Sequence, residues 1–207
     1  AVVENLEIKK KVFSELEKHV REDCVLASNT STLRLNDIAS SLKNPERFLG
    51  VHFFNPVDKM PLVEVVRGEK TKDECIVKAV NYCKAMGKTP VVVNDAPGFL
   101  VNRLLVLWLT EGGHAMKDGL QIEEIDRTMR KWGMPLGVFE LLDTVGLDVC
   151  SIIGHTMHAA LGERYKPSNG LDKFMEANKT RQGTKRLGQK SGLGFYQWDG
   201  RKRGSVD

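Results

Sequence analysis

Between residues 24 and 94, short apolar runs alternate with segments of helical spacing, and this alternation narrows the folds open to the chain. "CVLASNTS", "RFLGVHFFNP", "PLVEVVRG" and "TPVVVND" read as strands, the second stopped by Asn55-Pro56. Leu6, Phe13, Leu16 and Val20 recur at helical spacing and predict a helix over 5–20. "LRLNDIASSL" predicts a second. Ile76, Val80, Cys83 and Met86 mark the inner face of a third over 73–86, with Gly87 suited to the position just past its end. Strands alternating with helices predict an α/β domain with a doubly wound, mostly parallel sheet. At Pro97 the pattern changes. "PGFLVNRLLVLWLTEGGHAMKDG", "IEEIDRTMRKW", "GVFELLDTVGLDV" and "CSIIGHTMHAALGERY" all read as helical, so an all-α domain follows. The division falls between 1–96 and 97–207.

Composition excludes several classes. A net charge of +4 and an aromatic content of 7% give nucleic-acid binding no support. Basic residues do crowd the tail: from Lys179 to Arg203 it holds Lys179, Arg181, Lys185, Arg186, Lys190, Arg201, Lys202 and Arg203, with Asp199 as the only acid in that span. A solvated surface and an attraction for an anion both fit that run. No apolar run is long enough to span a membrane, and no signal peptide is recognisable. Cys24, Cys75, Cys83 and Cys150 have no paired spacing and, with 5 scattered His, suggest no metal site. Reduced thiols point to an intracellular setting.

Two polar residues sit where the strands want apolar ones. His52 lies in "GVHFFNP" and Glu64 in "PLVEVV". An unpaired buried carboxylate costs several kcal/mol, so Glu64 needs a partner. A core histidine bonded to a backbone carbonyl would explain His52, and so would a base near the carboxyl end of a strand, where open α/β sheets place their sites. An imidazole beside a carboxylate is held in one tautomer and stabilised on proton uptake, which makes a His52–Glu64 pair the expectation. Ser31 closes "ASNTS", where a helix N-cap and a hydroxyl for a substrate oxygen both fit. Asn102, past Pro97, reads either as solvent-facing or as an amide donor aimed at a carbonyl across a cleft between the two domains.

"SNTS", "GVHFFNPVDKMPLVEVV", "DAPGFLVNRLL" and "GMPLGVFELLDTVGLDV" resemble, in order, the motifs of the L-3-hydroxyacyl-CoA dehydrogenase family. The likeness covers nearly the whole chain. It implies a Rossmann-like domain followed by a helical one, and NAD-dependent oxidation of an L-3-hydroxyacyl-CoA to the 3-ketoacyl-CoA in fatty-acid β-oxidation. His52 matches the general base, Glu64 its orienting carboxylate, and Ser31 and Asn102 the residues that bond the reacting oxygen and the thioester region. Glu4, Lys9, Ser31, Asn55 and Lys190 match or neighbour positions that contact the cofactor. The family implies an acyl-CoA substrate and a homodimer or a subunit of a β-oxidation complex. It also implies cytoplasmic, mitochondrial or peroxisomal residence according to the host.

The chain also departs from the family pattern. None of its 19 glycines forms GxGxxG, the fingerprint that holds a pyrophosphate at a helix start. The expectation is a fragment, holding the second half of the dinucleotide domain plus the helical domain, and inactive by itself. The end, "QWDGRKRGSVD", reads as a polar connector of the sort found in a multifunctional protein. Two alternatives stay open: a dehydrogenase of free hydroxy or sugar acids on the same fold, and a non-catalytic dimerisation or assembly module.

Overall fold

The computed structural model describes residues 2–31, 33–167, 170–177 and 185–207. Lys179 and Arg181 of the basic tail lie outside the described residues. The chain divides into two compact units, Ala1–Asn102 and Arg103–Asp207.

The first unit is a four-stranded sheet in the order β1-β2-β3-β4, formed by Leu26–Ser28, Phe48–Phe53, Leu62–Arg67 and Thr89–Asn94. Its helices are α1 (Leu6–His19), α2 (Leu35–Ala39) and α3 (Asp73–Ala85). β1–β2 and β3–β4 are parallel, but β2–β3 is antiparallel. The sheet is thus mostly parallel, as the alternation predicts, with one antiparallel pairing that makes it mixed. The reason is local: no helix separates Phe53 from Leu62, and a short return reverses the chain.

Asn5 caps α1, its side-chain oxygen accepting from the Ile8 N–H at 3.1 Å. The inner face of α1 carries Lys9, Phe13 and Glu17 rather than Leu16, which is exposed. Glu17 is usefully buried there because it accepts from the Lys43 and Asn44 amides at 2.8 and 2.9 Å and pairs with Arg47. Burial pushes its pKa up, yet those bonds and the guanidinium hold the carboxyl below the ordinary range. On α3, Cys75, Ile76, Ala79 and Cys83 face the sheet, whereas Met86 is exposed. Gly87 has φ 73°, the left-handed conformation expected just past this helix.

The second unit is helical, with α4 (Val101–Lys117) entering it, then α5 (Ile122–Trp132), α6 (Val138–Val145), α7 (Leu147–Leu161) and α8 (Gly170–Ala177). Gly146, at φ 104°, breaks α6 from α7 inside a stretch that reads as one helix in the sequence. The tail expected to be a connector is instead an antiparallel hairpin, β5 (Tyr196–Asp199) with β6 (Lys202–Val206). Two buried carboxylates fasten it. Asp143 accepts from the Phe195 and Tyr196 amides and the Trp198 indole, each at 2.9 Å. Asp126 accepts from the Tyr196 hydroxyl at 2.9 Å and from the Phe139 and Glu140 amides that open α6.

Candidate functional site

The carboxyl end of β2 carries the central residue. His52 and Glu64 are direct cross-strand partners in the β2–β3 ladder, so their side chains share one face of the sheet. His52 Nδ1 lies 2.7 Å from Glu64 Oε2, with the two residues 4% and 1% exposed. The other imidazole nitrogen, Nε2, is 3.0 Å from Ser31 Oγ. A carboxylate only accepts, so Nδ1 carries a proton, and in the neutral imidazole Nε2 presents a lone pair toward Ser31. The sheet thus builds a line from Glu64 through His52 to Ser31. Ring edges of Phe54 and Phe99 flank the imidazole, with centroids at 4.8 and 5.6 Å.

Glu64 has further partners. Its Oε1 accepts from the Leu100 and Val101 amides, both at 2.9 Å, in the turn that opens α4. Burial pushes the Glu64 carboxyl up; the hydrogen bonds from His52, Val101 and Leu100, with the charge of His52, more than offset that and hold it below the ordinary 4.5. Asn102 follows Val101 in the same turn and is half-buried. One carboxylate therefore ties the imidazole to the start of the helix that bears Asn102.

A second cluster adjoins Ser31. Glu4 accepts from the Ser31 amide at 3.0 Å and from the Thr30 hydroxyl, and its other oxygen pairs with buried Lys9 at 2.9 Å. Burial opposes ionisation of Glu4, but these bonds dominate and bring its pKa down to about 2. Asn29 reaches across instead, its Oδ1 accepting from the Phe53 amide at 2.9 Å. Each residue of "ASNTS" after Ser28 thus takes part: Asn29 binds the end of β2, Thr30 binds Glu4, and Ser31 binds His52. Asn55 sits just beyond β2, exposed, before a cis peptide bond to Pro56. Lys190 belongs to the second unit, where it pairs with Asp148 near the start of α7.

Ser31, His52 and Glu64 are brought together as expected, with Glu4 and Lys9 joined to them through Ser31. The sequence reading missed Asn29, Thr30, Phe99 and the two amides at 100 and 101. The "PGF" tripeptide, with glycine before a large apolar residue, was the one available signal for the turn. Among the described residues there is no cluster of three or more metal-ligating side chains, and no helix is long and apolar enough to cross a membrane.

The residues suit one end of a dinucleotide. Ser31, Glu4 and Lys9 are linked to one another beyond the carboxyl end of β1, and Asn55 follows the end of β2, the edge where open α/β sheets bind ligands. They do not suit the other end, because the chain has no glycine-rich turn for a pyrophosphate.

Comparison with known proteins bears on the same residues. Residues 1–96 match the family model described as 3-hydroxyacyl-CoA dehydrogenase, NAD binding domain, and residues 98–198 match its C-terminal domain. The chain is 46% identical over 205 residues to the fatty acid oxidation complex subunit alpha of Psychrobacter arcticus, covering 99% of this chain and 28% of that protein. It thus spans little more than a quarter of that relative. The crystal structure of FadB2 from M. tuberculosis superposes with a TM-score of 0.87 at 37% identity, over 96% of this chain and 69% of that one. That of (S)-3-hydroxybutyryl-CoA dehydrogenase PaaH1 from Ralstonia eutropha gives 0.88 at 32% identity, with the same coverage of both chains. With the two domain models together matching residues 1–96 and 98–198, and the fold shared with these proteins, the chain belongs to the 3-hydroxyacyl-CoA dehydrogenase family.

Proposed function

We propose that this chain contributes the proton-transfer machinery for NAD-dependent oxidation of an L-3-hydroxyacyl-CoA to the 3-ketoacyl-CoA, in the fatty-acid oxidation that its Psychrobacter relative is named for. The observation that carries this reading is the buried His52–Glu64 pair with Nε2 turned toward Ser31. In the forward direction, His52 Nε2 takes the proton of the substrate's 3-hydroxyl as the C3–H bond gives up its electron pair. NAD, when bound, supplies the acceptor for that hydride. Ser31 holds the reacting oxygen beside Nε2, Glu64 stabilises the imidazolium as it forms, and Asn102 donates to the acyl region.

Residues 1–96 serve the dinucleotide and 97–207 form the helical module. Glu4, Lys9, Ser31, Asn55 and Lys190 are the candidate cofactor contacts. The 207 residues hold no glycine-rich turn for a pyrophosphate, and on this reading the chain by itself is inactive. Its occupants and partners are an acyl-CoA and either a second copy or the other subunits of an oxidation complex.

The test uses a protein in which this chain is joined to a complete glycine-rich NAD-binding turn. His52→Gln should reduce acetoacetyl-CoA turnover by at least about 10²–10⁴-fold, the range for a general base, with NADH affinity nearly unchanged. Retained turnover would refute the assignment of the base, and faster turnover of free hydroxy acids than of the thioester would refute the substrate class.

A further inference from the structure

Phe99 is the one non-glycine described residue with a positive φ, at 45°, and it directly follows Gly98 at φ 73°. A side chain in this region meets its own backbone, so such conformations persist only where the surroundings enforce them. Here they do. Phe99 is 5% exposed and belongs to the core cluster with Phe13, Leu26, Leu35, Ile38, Leu42, Phe48 and Val66. Its own amide closes the turn on the Ala96 carbonyl at 2.9 Å. Two successive left-handed residues turn the chain so that the next two amides, of Leu100 and Val101, converge on one oxygen of Glu64 at 2.9 Å each. The ring of the same residue stands edge-on to the imidazole of His52, 5.6 Å between centroids.

We propose that Phe99 is a positioning residue for the His52–Glu64 pair: its backbone aims two amides at the carboxylate, and its ring braces the imidazole. Glycine at this position would adopt the turn at no steric cost and is the residue such a conformation ordinarily selects. Phenylalanine is needed because the ring does what glycine cannot. It anchors the turn in the core and closes the apolar wall beside His52. This inference rests on the proposed role of His52 as the base.

The experiment follows the Nδ1 proton of His52 by NMR in the ¹⁵N-labelled 207-residue chain, reading both its nitrogen and its exchange with water. In the unaltered chain the proton is expected on Nδ1, with Nε2 bare. Phe99→Ala should speed its exchange at least about tenfold, with a parallel loss of protection at the Leu100 and Val101 amides. Ile76→Ala removes buried apolar volume from the cluster that α3 forms with Val51, Val63 and Val65, which alternate with His52 and Glu64 and so point to the other face of the sheet, and it serves as the stability control. It should leave the His52 proton within about twofold of its original exchange rate, as a local opening unconnected with α3 requires.

Should Phe99→Ala not fold, Phe99→Leu carries the test. It keeps the apolar bulk but lacks the ring edge, and exchange should rise at least about threefold. Unchanged exchange in the folded Phe99 variant, or an equal rise in Ile76→Ala, would overturn the positioning role while leaving the base intact. A proton on Nε2 in the unaltered chain would overturn the base, and the positioning role with it.

Discussion

Replacing Glu64 by Gln tests the site most directly. The carboxylate is 1% exposed and accepts three hydrogen bonds, from His52 at 2.7 Å and from Leu100 and Val101 at 2.9 Å. Hydrogen bonds to a charged group contribute about 1.5–3 kcal/mol, against about 1 for neutral partners. The Gln oxygen can keep the two amides, in weakened form. Its NH₂ group must then face His52 Nδ1, where two donors would meet. The imidazole resolves the clash by moving its proton to Nε2. With part of the loss offset because no charge is buried, Glu64→Gln should destabilise the fold by about 1–3 kcal/mol in urea titrations at pH 7. The larger effect is chemical. A protonated Nε2 cannot take the hydroxyl proton, and the comparable carboxylate-to-amide change in a Ser-His-Asp triad costs about 10⁴-fold in rate.

The pH dependence carries a sign. The folded carboxyl titrates below its unfolded value of 4.5, so the unfolded chain takes the proton first on acidification. The contribution of Glu64 is fully present above 4.5 and is lost as pH falls below it toward the folded pKa. The stability gap between the original chain and Glu64→Gln should therefore narrow in that acid window. The nitrogen spectrum of His52 gives the decisive reading. An Nδ1–H tautomer in Glu64→Gln, together with unaltered stability, would refute the reasoning.

Other expectations follow from separate parts of the molecule. Calorimetric titration of the 207-residue chain with NADH should give no binding near 1 μM, about −8 kcal/mol, because the chain has no glycine-rich pyrophosphate turn; binding at that strength would refute the proposed inactivity of the chain by itself. Glu4→Gln should flatten the acid limb of the stability curve between 4.5 and about 2, the interval over which the unfolded chain holds a proton that native Glu4 does not; an unchanged limb by circular dichroism would count against the Thr30–Ser31–Lys9 cluster. Gly194→Ala would drive a methyl into the Asp143 carboxylate and should cost about 1–3 kcal/mol or more by thermal melting, a loss that a neutral surface glycine would not show.

How much of this was written in the sequence depends on the range of each interaction. Local signals carried well: Asn55-Pro56 ended a strand, and Gly87 closed a helix. The pairing of His52 with Glu64 followed from the cost of burying a lone carboxylate, although the register that makes them direct neighbours did not. The antiparallel reversal between β2 and β3 was legible in the missing helix but was outweighed by the alternation elsewhere. The β5–β6 hairpin also left a trace in the Asp199-Gly200 step, which the charge of the tail obscured. Asp95 was illegible, since its carboxylate caps the Leu35 and Asn36 amides about sixty positions earlier in the chain. So was Glu17, whose position on α1 looks solvent-facing until the 43–44 backbone arrives above it. Interactions set by tertiary placement leave no periodicity to read.

The two oxygens of Glu64 serve two masters, the imidazole on one side and the first turn of α4 on the other. Under the proposed roles of Asn102 and His52, a ligand held at the head of that helix would pull on the same short lever that aims the imidazole, with no moving loop required between them.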